Sequence, residues 1–306
     1  FGGKFVLELI LEKLILKEIG TYYFLLDKRL KSKLLNKIPK KNIKLINSVH
    51  SQRRSFYKIN IKRFESVICL SNVPPPILTE VKTVILFHNV LLLNPLSHEI
   101  TFKSRINNFL KINYINYFNH KKYNWVVQSL LVKEDLQDYL NINSGSVFIL
   151  PIFKEKYRSP YQRKSTKNFV YVSSGVPHKN HIRLISAFIL VANNTKKEIK
   201  LHLTLNKKEL PEKVYPSNLK IEFHGTLAED EVNKLYGENE FAIYPSLLES
   251  FGLPLIEAAN YDCKVIASDL PYVHEIIEPS LTFDPYSVES ISNAILNAIN
   301  TDDLPK

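Results

Sequence analysis

Apolar residues fall in short runs separated by longer stretches of mixed polarity. In the first half of the chain the runs lie at 22–27, 67–70, 84–87, 125–127 and 147–150. In the second half they lie at 169–172, 201–204, 221–223, 241–244 and 265–267. Runs such as Val84-Ile85-Leu86-Phe87 and Phe241-Ala242-Ile243-Tyr244 are apolar at successive positions, so they offer both faces to a core. That is the pattern of buried parallel strands, and the stretches between several of them are long enough for helices. A helix is expected over 181–193. Another is expected over 5–19, where Glu8, Glu12, Lys13, Lys17 and Glu18 break an apolar stretch. It reads as an amphipathic helix stopping near Gly20, not as a signal peptide. The stretch Asn72-Val73-Pro74-Pro75-Pro76 must be a loop.

Residues 153–167 are polar, basic and proline-containing, the composition of a linker. The βα alternation therefore runs twice, over 1–152 and again over 168–306. Two such arrays predict an α/β protein of two Rossmann-like, doubly wound parallel-sheet domains facing a central cleft. A length of 306 residues suits two domains. No stretch approaches the uninterrupted apolar length needed to cross a bilayer. The sequence contains no methionine and begins at Phe1, so the expectation is that methionines and a strand ahead of the first helix are missing from it.

Composition narrows the chemistry. The two cysteines, Cys69 and Cys263, stand far apart without motif spacing, which fits a reducing cytoplasm better than a disulfide or structural-metal framework. Charge is uneven. Residues 1–150 hold 23 Lys and Arg against 10 Asp and Glu, a balance of +13, and the remainder holds 18 against 20, a balance of −2. A basic first half is either a solvated surface or a face for an anionic partner, of which a membrane surface or lipid-linked diphosphate fits better than nucleic acid.

The segment with the most chemistry runs Tyr244-Pro-Ser-Leu-Leu-Glu249-Ser-Phe-Gly252-Leu-Pro254-Leu-Ile-Glu257-Ala-Ala. A buried strand ends at Tyr244, Gly252 allows close backbone approach, and Pro254 suits the first position of a helix. A helix N-terminus at the carboxyl edge of a parallel sheet is a site for phosphate. Glu249 on the loop and Glu257 in the helix can then accept hydrogen bonds from different diols of one phosphate-linked ligand. Taken singly, Glu249 reads first as a helix cap and Glu257 as a solvated helix residue. A second element, Tyr171-Val-Ser-Ser174-Gly175-Val-Pro-His178-Lys179-Asn180-His181, carries a strand into a loop and puts Lys179 just before a helix. Lys179 there is either a surface lysine or a point charge for a diphosphate.

The 244–257 segment resembles the E-x7-E signature of retaining GT-B glycosyltransferases of the family-4 type (glycosyl transferases group 1), including the Pro-Ser before the first Glu and Phe-Gly-Leu-Pro after it. The likeness continues through Lys264-Val-Ile-Ala-Ser-Asp-Leu-Pro271 and covers nearly the whole second half. It implies that Glu249 holds hydroxyls of the donor sugar, that the backbone at Phe251, Gly252 and Leu253 approaches the sugar and diphosphate, and that Glu257 holds the ribose. The family usually has two cations in the second element. Here Ser174 stands near the usual Arg position, leaving Lys179 as the cation that matches.

In the first half the likeness is diffuse. His88 follows the 84–87 run and matches the family's His after the equivalent strand, near donor sugar and reaction centre. Gly2 and Gly3 resemble its Gly-Gly loop at donor phosphate or acceptor. The 123–136 segment, with Gln128-Ser129, matches the strand and helix that lead to the last strand of the N-terminal, acceptor-side domain. The resemblance implies transfer from a nucleoside-diphosphate sugar to a saccharide or lipid-linked acceptor, with retention, in bacterial lipopolysaccharide or capsule synthesis. The sugar nucleotide is a co-substrate; no cofactor or metal is expected, for no Asp-x-Asp motif is present. A cytoplasmic protein peripheral to the inner membrane would fit. A nucleotide-sugar epimerase of the same fold and a catalytically silent sugar-nucleotide-binding homologue are the competing readings.

Overall fold

The computed structural model describes residues 7–8, 10–12, 21–30, 32–47, 49–94, 100–150, 167–301 and 304–305. Gly2, Gly3, most of the expected 5–19 helix and all but the last residue of the 153–167 linker lie outside them. The chain divides into two compact units, one made of Phe1–Pro95 and Ile106–Ile152, the other of Leu96–Arg105 and Phe153–Lys306. Among the described residues no helix is long and apolar enough to cross a membrane.

Strands β1 (Phe24–Asp27) and β2 (Ile43–Ile46) form a parallel pair. Strands β3 (Ser66–Cys69), β4 (Lys82–Leu86), β5 (Tyr123–Val127) and β6 (Val147–Ile149) form a separate parallel sheet in that order. Helices α1 (His50–Asn60), α2 (Phe102–Phe118) and α3 (Leu130–Leu140) lie between strands in the chain. Within the 123–136 strand–helix segment, Ser129 caps the start of α3 by accepting from the Val132 N–H, and Asn141 ends the helix in the left-handed conformation. The central strands are buried, with Ile85 and Trp125 fully inside. The outer runs are not: Ile68 is 54% exposed and Phe148 is 50% exposed. Both belong to edge strands, which the expectation of two-sided burial did not distinguish from central ones.

The second unit carries a six-stranded sheet of β7 (Phe169–Tyr171), β8 (Ile199–Leu203), β9 (Leu219–Phe223), β10 (Phe241–Tyr244), β11 (Lys264–Ser268) and β12 (Leu281–Phe283). Every pairing is parallel. The spatial order is β9-β8-β7-β10-β11-β12, so the winding reverses between β7 and β10. This is the Rossmann strand order, and ligands bind such sheets at the carboxyl ends of the strands flanking the reversal. Between strands lie α4 (His181–Asn194), α5 (Glu229–Glu238), α6 (Leu253–Asn260) and the short α7 (Pro271–His274), with α8 (Val288–Asn300) last.

The core explains why α4 is a helix. Leu184, Ile185, Phe188, Val191 and Ala192 recur at helical spacing and are all buried. Phe188 meets Phe169 edge-to-face at 5.2 Å, and Phe169 stacks on Phe241 at 5.0 Å. Helix α8 packs on α4 and buries Ile291, Ile295, Ala298 and Ile299. Each of the larger of these side chains, the Leu, Ile, Val and Phe, contributes about 1.5–3 kcal/mol of burial. The two strands that flank the reversal are thus packed through Phe169 and Phe241 against the α4 core.

Candidate functional site

The loop leaving β7 turns through a 3-10 segment, Pro177–Lys179, and reaches α4 at Asn180, which is left-handed at φ 61°. Asn tolerates that conformation better than most side chains. Its amide donates to the carbonyls of Pro245 (3.1 Å) and Pro285 (2.7 Å), tying this loop to those that leave β10 and β12. A Cβ at Gly175 would lie 2.8 Å from Glu209 Oε2, so glycine lets the loop after β8 come close here.

The loop leaving β10 is stitched down at Ser246, which is fully buried. Its Oγ shares a hydrogen bond with Tyr171 Oη (3.0 Å). Its carbonyl accepts from Tyr272 Oη (2.7 Å) and Ser268 Oγ (3.0 Å). The next residue, Leu247, donates its N–H to the His178 carbonyl (2.9 Å). Gly252 then sits at φ 71°, and an added Cβ would meet Leu255 Cδ1 at 3.0 Å. Helix α6 begins at Leu253, so Pro254 takes the second helical position, not the first. The shift costs nothing, because the N–H at either position has no partner within the helix.

These two loops bring together Lys179 and Glu249. Their side chains form an ion pair, each only 13% exposed. Lys179 Nζ also lies 3.4 Å from Tyr244 Oη and 5.5 Å from that ring's centroid. Tyr171 Oη donates to the Lys179 carbonyl at 2.9 Å. Burial first, and the Glu249 carboxylate second, drive the Tyr244 and Tyr272 phenols well above their usual range. Burial likewise raises Tyr171. The three therefore stay neutral hydroxyls around one carboxylate and one ammonium group. Burial also lowers His178, whose Nδ1 is buried without a partner among the described residues.

The other expected site residues fall as follows. Ser174 is exposed, Phe251 and Gly252 are buried, and Leu253 and Glu257 are half-buried at the start and in the second turn of α6. Glu257 is close enough to Tyr236 to raise its phenol further, after burial. Gly2 and Gly3 lie outside the described residues. His88 belongs to the first unit, just past β4. Asn72 clamps it at two points: the His88 N–H donates to Asn72 Oδ1 (2.6 Å), and Asn72 Nδ2 faces His88 Nε2 (3.2 Å). An amide nitrogen can only donate, so Nε2 accepts and the neutral ring carries its proton on Nδ1. That atom is buried with no partner among the described residues, and burial lowers the ring's pKa.

Sequence reasoning missed Asn72, Asn180, Ser246 and the three tyrosines. Asn72 and Asn180 each precede a sharp change of direction and take positive φ, a signal that an asparagine in a loop offers only weakly. Tyr244 and Ser246 lie within the signature segment and Tyr171 within the second element, but their hydrogen-bond roles, like that of Tyr272, depend on partners far along the chain.

Residues 153–306 match the glycosyl transferases group 1 family. Over 181 residues, 55% of this chain and 49% of the relative, the sequence is 29% identical to the O-antigen chain mannosyltransferase RfbU of Salmonella typhimurium. Over 205 residues, 64% of this chain and 51% of the relative, it is 25% identical to the O-antigen chain mannosyltransferase B of Escherichia coli. The chain spans about half the length of these curated relatives. The crystal structure of WaaG, a glycosyltransferase involved in lipopolysaccharide biosynthesis, superposes with a TM-score of 0.69 at 15% identity, covering 96% of this chain and 86% of WaaG. That likeness shows the fold, GT-B, with two Rossmann-like units. Family match, strand order and site agree: the chain belongs to the glycosyl transferases group 1 family.

Proposed function

We propose that this protein transfers a hexosyl group from a nucleoside-diphosphate sugar to a saccharide or lipid-linked acceptor in surface polysaccharide synthesis. The observation that carries the reading is the Lys179–Glu249 pair, set between the two strands where the winding of the sheet reverses and followed by the N-terminus of α6. Glu249 accepts hydrogen bonds from sugar hydroxyls. Lys179 and the amides of Phe251, Gly252 and Leu253 take the diphosphate charge that grows as the glycosidic bond breaks. Glu257 holds the ribose, and by the family likeness His88 contributes to the reaction centre. Transfer proceeds with retention and without a metal, the acceptor attacking from the face that the diphosphate leaves and the diphosphate receiving its proton. The domains are an acceptor side over 1–152 and a donor side over 168–306. Because the curated relatives are mannosyltransferases, mannose nucleotides head the donor screen. A donor that raises the melting temperature by mass action, followed by transfer insensitive to EDTA, is the expected result. Donor binding without transfer to any lipid-linked saccharide favours the silent homologue.

We also propose that the first unit meets an anionic membrane surface from the cytoplasmic side. In the first unit's part of helix α2, Ile106, Phe109, Leu110 and Tyr117 are exposed and share one face, while Ile112 and Ile115 are buried on another. An exposed apolar stripe in a half of the chain with a balance of +13 fits an interfacial helix. Cosedimentation with phosphatidylglycerol vesicles should fall with salt and in the double variant F109S/L110S. Binding indifferent to lipid charge and to both substitutions contradicts it.

A further inference from the structure

Away from the donor site, three potential metal ligands converge at the open edge of the second unit's sheet. His202 on β8 is the register partner of Glu222 on the edge strand β9, and His224 follows two residues after Glu222. Paired positions and an interval of two put all three side chains on one face of the sheet. His202 Nδ1 lies 2.9 Å from His224 Nε2 and 3.2 Å from Glu222 Oε2, and His224 Nε2 lies 3.8 Å from the same oxygen. A point equidistant from the corners of that 2.9, 3.2 and 3.8 Å triangle is about 2.0 Å from each atom, which is the bond length of zinc to imidazole nitrogen and carboxylate oxygen. The other carboxylate oxygen, Glu222 Oε1, is held by Lys200 Nζ at 2.6 Å, so Oε2 is left turned to the histidines.

We propose that His202, Glu222 and His224 bind one zinc ion. Two imidazoles and a carboxylate form a known zinc ligand set, which water completes to a tetrahedron. Access is open, since the Glu222 side chain is 44% exposed and that of His224 is 25% exposed, while His202 is 9% exposed and gives the ion a fixed floor. Without the ion, one ring donates an N–H to the other ring's lone pair. On binding, the donating ring moves that proton to its other nitrogen, so both facing nitrogens present lone pairs and no net proton is lost. The ion cross-links β8 to β9, which among the described residues is paired on one side only. This site does not depend on the reading of the donor site.

The test uses the full chain stripped with EDTA, titrated with zinc chloride against a competing chelator and counted by elemental analysis. One zinc per chain is expected, with a higher melting temperature and, for cobalt in its place, the visible absorption of a four-coordinate site. E222Q and H224Q should each bind at least tenfold more weakly, while melting in EDTA like the parent. H120Q, which alters a different histidine–carboxylate contact, should bind as the parent does. No stoichiometric zinc in the parent, or unchanged affinity in both E222Q and H224Q, overturns the proposal.

Discussion

Glu249 and Lys179 stand 70 residues apart in sequence, yet their side chains pair between the strands that flank the reversal of the sheet. The consequence is that neither can be altered alone without stranding the other. At 13% exposure, Glu249→Ala leaves the Lys179 ammonium largely desolvated beside Tyr244. The expected loss is about 2 kcal/mol, below the roughly 3–5 kcal/mol of a fully buried pair. Lys179→Ala should cost a similar amount, and the double variant clearly less than the sum. Urea unfolding of the four proteins checks this, and strict additivity would show that the pair does not couple.

Gly252 allows a left-handed start to α6 and close contact with Leu255. Gly252→Ala puts a methyl group where φ is 71° and Leu255 Cδ1 is 3.0 Å away. A stability loss of about 1–2 kcal/mol is expected, with weaker donor binding because the proposed amide cradle tilts. Titration calorimetry with the donor that emerges from the screen measures the second effect. An unchanged dissociation constant would separate the turn from the donor.

Asn72 fixes the tautomer of His88, so changing the amide to a carboxylate should change the ring's titration more than its position. In Asn72→Asp the N–H clamp can persist, but a negative charge then faces Nε2 and favours the imidazolium. The pKa of His88, which burial now holds below the usual 6.5, should move upward. If His88 acts as a neutral donor, the acid limb of the rate profile shifts upward with it. Histidine NMR titration and the pH dependence of kcat report the two sides separately.

His181 makes a prediction about acid stability. Burial first, and Lys179 next, hold its ring at about 4, with Glu209 opposing. The unfolded ring titrates near 6.5, so the unfolded state takes up protons first as pH falls. Stability is therefore intact above about 6.5 and lost progressively toward about 4, by up to about 3 kcal/mol from this residue. His181→Gln should flatten that part of the curve while leaving other acid-sensitive groups in place. Urea midpoints at neutral and mildly acidic pH, compared between the two proteins, decide it.

Much of the second unit was legible because its strands are central. Phe169-Val170-Tyr171 and Phe241-Ala242-Ile243-Tyr244 are apolar on both faces, and α4 repeats its buried residues at helical spacing. The strands β2 and β12 were not foreseen: Ile43-Lys44-Leu45-Ile46 and Leu281-Thr282-Phe283 are short edge elements whose mixed polarity resembles a loop. The site divided in the same way. Glu249, Gly252 and Glu257 lie within one contiguous segment and could be read from it. The contact of Glu249 with Lys179, the Asn72 clamp on His88 and the His202–Glu222–His224 cluster each join distant segments, and only strand register brings them together.

The role of the Lys179–Glu249 site in sugar transfer is open to direct measurement. Its most direct test is the turnover of Glu249→Gln, which can still accept a hydrogen bond from Lys179, with the donor and acceptor found by the screen and the anomeric configuration of the product read by NMR. A folded variant with turnover reduced at least about a hundredfold is expected, together with a parent product that keeps the donor's configuration. Turnover in Glu249→Gln equal to that of the parent would contradict it.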